Sequence, residues 1–205
     1  MTLKADLWFP QIVWKDTLTN IDNLAVKDFV LAEQTRNQGK HSSNQGGWQS
    51  EDFLATSAIP DTVAHMLLML NNQVLDASKQ AGLPAIKICN YWFNVNVKGN
   101  YNTVHNHQHS ILSGVYYVDI PDHNMGAIEF YRDDDAQYYI PENLNRYNQF
   151  TSTKATYQAQ TGLLLIFPSW LKHFVQVNQS DLPRISMSFN TEILQNSHSN
   201  FTKNS

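Results

Sequence analysis

Two rhythms of apolar and polar positions run along this chain, and one gives way to the other at Pro84. Before Pro84 the spacing is three and four. Apolar residues fall at Leu24, Phe29 and Ala32 between Asp22 and Arg36, and at Val63, Met66, Leu67, Leu70, Val74 and Ala77 between Pro60 and Ala81, which predicts two helices with one buried face each. Pro60 suits the first turn of the second helix, and Gly82 with Pro84 stops it. Between them "NQGKHSSNQGGWQSEDF" is rich in turn formers and reads as a loop anchored by Trp48.

After Pro84 the period shortens to two. Strands are expected over Ile86 to Val97, Ile111 to Ile120, Ala127 to Tyr131, Gly162 to Phe167, Phe174 to Val177 and Ile185 to Leu194. β-Branched and aromatic residues fill them, with Gly, Pro and Asn between, as in an antiparallel sandwich or barrel. The segment from Arg132 to Gln160 carries no strand signal and reads as a long loop, of the kind that serves as a lid or binding loop. The expectation is an α+β chain with an all-β core: one domain over 1–205, with mainly helical support in 1–83, the β core in 84–194 and a polar tail in 195–205.

Composition bounds this picture. A chain of 205 residues that is 42% hydrophobic fills one sizeable core rather than two. The net charge of −4 argues against a protein built to hold phosphate backbones, so nucleic acid is not the expected partner. The single cysteine, Cys89, cannot form an internal disulfide, and no segment approaches the ~20 apolar residues of a membrane span, so a soluble, cytoplasmic protein without a membrane partner is expected. No heptad or apolar edge marks an oligomer.

The candidate chemistry begins in "VHNHQHSILSGVYYV", where His105, His107 and His109 stand at alternate positions before a strand. On an extended chain, side chains two apart project to one face about 7 Å apart, and two imidazoles so placed can bend onto one ion. A site needs a third group. His173, in "GLLLIFPSWLKHFVQVN", is the other histidine of the β half flanked by strands, and a barrel wall can bring it opposite the pair. A fourth imidazole would close a position that catalysis needs open, which puts His109 at the rim or in the layer behind the ligands. His41, His65, His123 and His198 have no such spacing.

The strand "RISMSFN" adds a second feature, because Arg184, Ser186, Ser188 and Asn190 alternate with Ile185, Met187 and Phe189. One face is wholly polar. A guanidinium turned into a core is costly unless an anion meets it, and arginine grips a carboxylate with two parallel hydrogen bonds. The alternatives are a face turned to solvent, or an ion pair with an aspartate of the chain.

H-x-H at His105 and His107, then "SGVYYV", then His173, then Arg184 with Ser186 two residues on, resembles the iron(II)- and 2-oxoglutarate-dependent dioxygenases, whose signature is H-x-D/E, a distant H, and R-x-S. "NVKGNYNTVHNHQHSILSGVYYV" and "SNQGGWQS" are similar to a group of 2-oxoglutarate oxygenases common in marine bacteria and their phages. The resemblance spans Trp48 to Ile193 and implies a double-stranded β-helix, or jelly roll, with supporting helices. It implies Fe(II) on His105, His107 and His173, with 2-oxoglutarate as co-substrate and O2 as oxidant. Arg184 and Ser186 would hold the far carboxylate of the co-substrate, with Tyr117 helping from the neighbouring strand, and succinate and CO2 would leave as the main substrate is hydroxylated. Asn94 and Asn96 share a face of the strand leading to the site, where they either touch the co-substrate or brace the sheet.

This chain departs from the signature at His107, which stands where a carboxylate is expected, and the charge at the ion rises by one. The same histidines, with Gly99 and Gly162 upstream, also resemble a cupin, whose three-histidine form would be a thiol dioxygenase without co-substrate. A third alternative is a non-catalytic binding protein that keeps the fold. The main substrate is unknown from the sequence, because the loops that choose it, Arg132 to Gln160 and the one near Trp48, vary independently of the scaffold.

Overall fold

The structure is a computed structural model that describes all residues except 1, 2, 5, 7, 8, 55, 56, 142, 145 and 195–205. The polar tail and His198 therefore lie outside the described residues. In chain order the elements are β1 (Trp14–Thr17), α1 (Asn23–Arg36), β2 (Asn44–Gln45), β3 (Trp48–Gln49), β4 (Phe53–Leu54), α2 (Asp61–Gln80), β5 (Ile86–Asn96) and β6 (Tyr101–His105). There follow β7 (Leu112–Asp119), β8 (Ala127–Tyr131), a short 3-10 turn (Asp135–Tyr139), β9 (Lys154–Gln158), β10 (Leu163–Pro168), β11 (His173–Val175) and β12 (Arg184–Ile193).

The strands form two antiparallel sheets, one of seven strands in the order β1-β10-β7-β12-β5-β3 with β4 also on β5, the other of five in the order β2-β6-β11-β8-β9. This is the double-stranded β-helix with helices against one sheet. Strand period two divides the seven-stranded sheet into unlike faces. Tyr91, Phe93, Val95, Tyr116, Val118, Leu164, Ile166, Ile185, Met187 and Phe189 point to the helices, where they join Val26, Val30, Val63, Met66, Leu70 and Val74 in the larger core. Val115, Tyr117, Leu163, Leu165 and Phe167 point the other way and meet Ile128 and Phe130 of the five-stranded sheet. In β5 the parity shifts once. Asn90 pairs with Asn190 but Ile88 with Thr191, so Cys89 is the extra residue of a bulge and Ile86 and Ile88 stay on the helix side.

Three expectations need correction. The segment between the two helices is not a plain loop, since β2 pairs with β6, and β3 and β4 with β5, while ahead of α1 the strand β1 pairs with β10. The turn-rich segment around Trp48 is thus stitched to both sheets by two-residue strands, which carry too few positions to show a period. The long loop from Arg132 to Gln160 contains β9, paired with β8, although Lys154, Ala155 and Thr156 are exposed and hide the alternation. On α1 the buried residues are Val26 and Val30; Leu24 and Ala32 are exposed, because the docked face follows β7 rather than the spacing chosen from sequence. α2 buries Val63, Met66, Leu70, Val74 and Ala77, as its period requires. No helix among the described residues is long and apolar enough to cross a membrane.

Candidate metal centre

The five-stranded sheet assembles the histidines. His105 closes β6 and stands directly across from His173, the first residue of β11. His107 lies two residues on, its backbone N–H donating to Ser169 O at 2.8 Å, which ties it to the turn between β10 and β11. Ring centroids lie 4.2 Å apart for His105 and His173, and 5.2 Å for His107 with each of the others. One nitrogen from each ring lies within 4.8 Å of the other two, the spacing of ligands around one ion.

Their protonation suits that purpose. His105 Nδ1 meets Thr103 O at 2.7 Å and His173 Nδ1 meets Leu171 O at 2.9 Å; a carbonyl only accepts, so both Nδ1 carry the proton and both Nε2 carry a lone pair. His107 Nε2 and His173 Nε2 stand 3.3 Å apart, an approach that lone pairs tolerate only with a proton or cation between them. Burial lowers the pKa of all three, helped for His107 and His173 by the neighbouring imidazoles, to about 4 for His107 and about 3 for His173. At neutral pH they are uncharged, the form in which an imidazole can bind a metal ion. Phe167 and Phe130 wedge His173 from two sides, with centroids at 4.8 and 5.7 Å, and Trp92 lies against His107 at 5.7 Å.

The seven-stranded sheet supplies the opposite wall as a ladder of cross-strand rows. Arg184 pairs with Asn96; Ser186 is flanked by Asn94 and Tyr117; Ser188 by Trp92 and Val115; Asn190 by Asn90 and Ser113. The rows run from a charged floor through hydroxyls to amides. Arg184 is 1% exposed, and its Nη1 donates to Met125 O and to Gln176 O, while its Nη2 has no partner. Among the described residues no carboxylate pairs with it. Asn94 donates to Ser188 Oγ at 3.2 Å and Asn96 to Asn102 Oδ1 at 3.4 Å, yet both amide oxygens are buried without a donor. Burial pushes the Tyr117 hydroxyl up to about 12, so it stays a neutral donor beside Arg184.

Between these walls lies a narrow chamber of about 40 Å³, bordered by the three histidines at one end and by Arg184, Ser186, Tyr117, Asn94 and Asn96. Among its described lining residues there is no Asp or Glu, so its one formal charge is the guanidinium. A wider cavity of about 450 Å³ adjoins it, sharing Ser43, Trp92, His105 and His107.

His105, His107, His173, Arg184, Ser186, Tyr117, Asn94 and Asn96, the site residues expected from sequence, border the chamber, and Asn190 of the polar face of β12 lines the wider cavity instead. His109 does not; it is exposed in a turn with φ 64°. His41, His65 and His123 are also exposed. Three consecutive aspartates, Asp133 to Asp135, stand exposed in the long loop, Asp133 paired with Lys172 and Asp134 with Arg132. Sequence reasoning missed Trp92, whose signal was its shared parity with Asn94 and Asn96. It also missed Ser43, whose Oγ lies 3.4 Å from His105 Nε2, and Asn102, which donates to Ser43. Ser43 is brought in by the segment that also carries Gly47, where an added Cβ would stand 2.0 Å from Asn96 Oδ1; only glycine lets that segment close over the chamber.

Residues 90–190 match the family model described as "Putative 2OG-Fe(II) oxygenase". No protein of curated function matches the chain. Among solved structures, a prolyl-4-hydroxylase from Pseudomonas putida superposes with a TM-score of 0.65 at 13% identity, covering 90% of this chain and 94% of that one. A viral collagen prolyl hydroxylase from Paramecium Bursaria Chlorella virus-1, in complex with 2OG, gives 0.57 at 11% identity, covering 89% and 96%. HygX from Streptomyces hygroscopicus, with nickel and 2-oxoglutarate bound, gives 0.56 at 10% identity, covering 90% and 84%. At these identities the solved structures establish the shared fold.

Proposed function

We propose that this chain, a member of the 2OG-Fe(II) oxygenase family through its residues 90–190, holds iron(II) on His105, His107 and His173 and the far carboxylate of 2-oxoglutarate on Arg184. One observation carries the reading: a buried guanidinium with a free Nη2 shares an acid-free chamber with three neutral imidazoles. A buried cation costs several kcal/mol unless an anion meets it. A diacid that reaches from the ion to Arg184 satisfies both ends. Ser186 and Tyr117, in one row beside Arg184, add hydroxyl donors to the same carboxylate.

Iron(II) with 2-oxoglutarate and O2 supplies the oxidation, hydroxylating a C–H bond while the oxo acid leaves as succinate and CO2. The residues of the chain position and shield. Backbone carbonyls at Thr103 and Leu171 fix two ligand tautomers, and Phe130, Phe167 and Trp92 hold the ring planes. With room for only a few waters, the chamber admits a five-carbon diacid by moving its walls. Asn94 and Asn96, whose amide oxygens lack donors, have least to lose by turning. The cytoplasm, which keeps Cys89 reduced, is the compartment we assign.

Calorimetric titration of the iron-loaded protein with 2-oxoglutarate under nitrogen tests this. Arg184→Met removes charge and fork but keeps volume, and deleting one partner of a buried charge-assisted pair costs about 2–5 kcal/mol, roughly a thirtyfold to several-thousandfold loss of affinity. Equal binding by wild type and variant assigns Arg184 another partner. Iron binding without any 2-oxoglutarate binding or succinate formation moves the chain to the three-histidine thiol dioxygenase, and absence of both leaves a non-catalytic binding protein.

A further inference from the structure

We infer that the primary substrate is a neutral, polyhydroxylated ring, a sugar or sugar-like unit, seated on Trp92 in the outer cavity. The inference rests on the oxygenase reading only in naming this molecule as the one brought to the metal. Cavities that bind small molecules are lined mainly by apolar side chains with a few polar groups. This one is inverted. Of its lining side chains, Gln49, Asn90, Asn106, Gln108 and Asn190 are amides, and Trp92 supplies the broad apolar surface.

Its charges cancel. Lys40 Nζ pairs with Asp52 Oδ1, and the other oxygen of Asp52 accepts from Asn90 at 3.2 Å. No unanswered charge remains for a carboxylate, a phosphate or an ammonium group, which separates this cavity from the inner chamber with its free guanidinium. With one aromatic wall it offers little to a fatty chain or to the ring of a prolyl peptide. What it does offer is many groups that both donate and accept. An amide presents two donors and an acceptor, and a hydroxyl is likewise both, so a rim of amides matches a ring of hydroxyls whichever way each is turned.

The geometry places that ring correctly. Trp92 sits in the row between the hydroxyls of the inner chamber and the amides of Asn90 and Asn190, and its own ring lies against His107. A saturated ring resting its C–H face on the indole would therefore lie beside the histidine cluster with its hydroxyls toward the rim. The volume of about 450 Å³ accommodates one or two such rings, within the range of small-molecule sites.

The test titrates nickel-loaded protein, with and without 2-oxoglutarate, by saturation-transfer NMR. The probes are methyl glucoside, methyl galactoside, sucrose and trehalose, set against a Gly-Pro-Ala peptide amide, thymidine, glutamate and lysine. At least one sugar is expected to bind and the others not. Trp92→Ala and Gln108→Ala should each weaken that sugar about tenfold or more, a loss of roughly 1.4 kcal/mol, whereas Trp92→Phe, which keeps a stacking surface, should hold most of the affinity. Metal content is measured on each variant, and if Trp92→Ala has lost its metal the exposed Gln108 decides. The inference is overturned if no sugar binds, if peptide, nucleoside or charged probes bind instead, or if a bound sugar is indifferent to both positions. Failure of the oxygenase reading shows separately, as absence of 2-oxoglutarate binding in wild type, while sugar binding is still read on the metal-loaded protein alone.

Discussion

The two faces of β12 are built from the same ten residues by opposite rules. Ile185, Met187 and Phe189 are fully buried against the helices, where Gly114 leaves room for the Phe189 ring; a Cβ there would stand 2.2 Å from it. Arg184, Ser186 and Ser188, one residue out of step, face the chamber, in which Arg184 Nη2 and the amide oxygens of Asn94 and Asn96 have no partner, and Asn190 lines the wider cavity beside it. The first face is finished by the chain itself. The second is polar and looks across the chamber at the three histidines of the five-stranded sheet. One strand can carry both because period two insulates stability from recognition, so substitutions on the two faces should fail in different measurements.

The largest effect is expected where three ligands become two. His173→Ala, or His105→Ala, should abolish stoichiometric iron binding while circular dichroism and the unfolding transition of the metal-free protein stay close to wild type. A full equivalent of iron in either variant by elemental analysis would show that the ligand set is wrong.

Next come the two faces set against each other. Phe189→Ala opens a cavity in the helix–sheet core and should cost about 3–5 kcal/mol of unfolding free energy in urea. Arg184→Met, five residues back along the same strand and on the other face, removes an unanswered buried cation and should leave the metal-free, ligand-free protein as stable as wild type or more so. Equal destabilisation by both would mean that Arg184 is structural, and its backbone contacts to Met125 and Gln176 would be the reason.

The face division was open to reading in the sequence, because alternation in "RISMSFN" and "YWFNVNV" survives any detail of packing. The same parity exposes Asn94, Asn96, Ser186 and Tyr117 as neighbours once the strands are paired. Ser43, Gln49 and Lys40 were not legible. They reach the site through two-residue strands whose pairing is decided by partners about fifty residues away, Asn102 for Asn44 and Val95 for Trp48, and no local pattern encodes that. The α1 face failed for a related reason: its apolar residues are spread around the helix, and docking on β7, with Tyr116 donating to Asn23, picks the buried ones.

A smaller effect follows from protonation in the metal-free state. The pKa of His173 lies at about 3 in the folded protein, below the 6.5 of an unfolded chain, chiefly through burial. As pH falls below 6.5 the unfolded chain takes up the proton first, so this stability is present above pH 6.5 and is lost as pH falls toward 3. By pH 5 the loss from His173 alone is about 2 kcal/mol, with His107 and His105 shifted in the same direction. Urea unfolding of the metal-stripped protein at pH 7 and pH 5 measures it, and His173→Ala should flatten the dependence. An unchanged profile in that variant would place the responsible groups elsewhere.

The smallest change is expected from His107→Asp, and it sharpens the comparison by adding to the histidine wall the carboxylate that the chamber lacks. His107 is the most loosely held of the three: its backbone is fixed to Ser169, and its ring rests on Trp92. Nor, among the described residues, has its Nδ1 a carbonyl partner like those of His105 and His173. A shorter aspartate at this position still reaches toward the point shared by the other two Nε2 atoms, and its negative charge offsets part of the charge of the ion. Iron should therefore stay bound, and succinate formation in the absence of a primary substrate should hold or rise. The opposing consideration is the aromatic wall, which suits an imidazole plane and gives a carboxylate no hydrogen bond. If His107→Asp loses its iron altogether, the enclosure by Trp92 and Phe167 is fitted to imidazole, and the third histidine is a built feature of this chain that a carboxylate cannot replace.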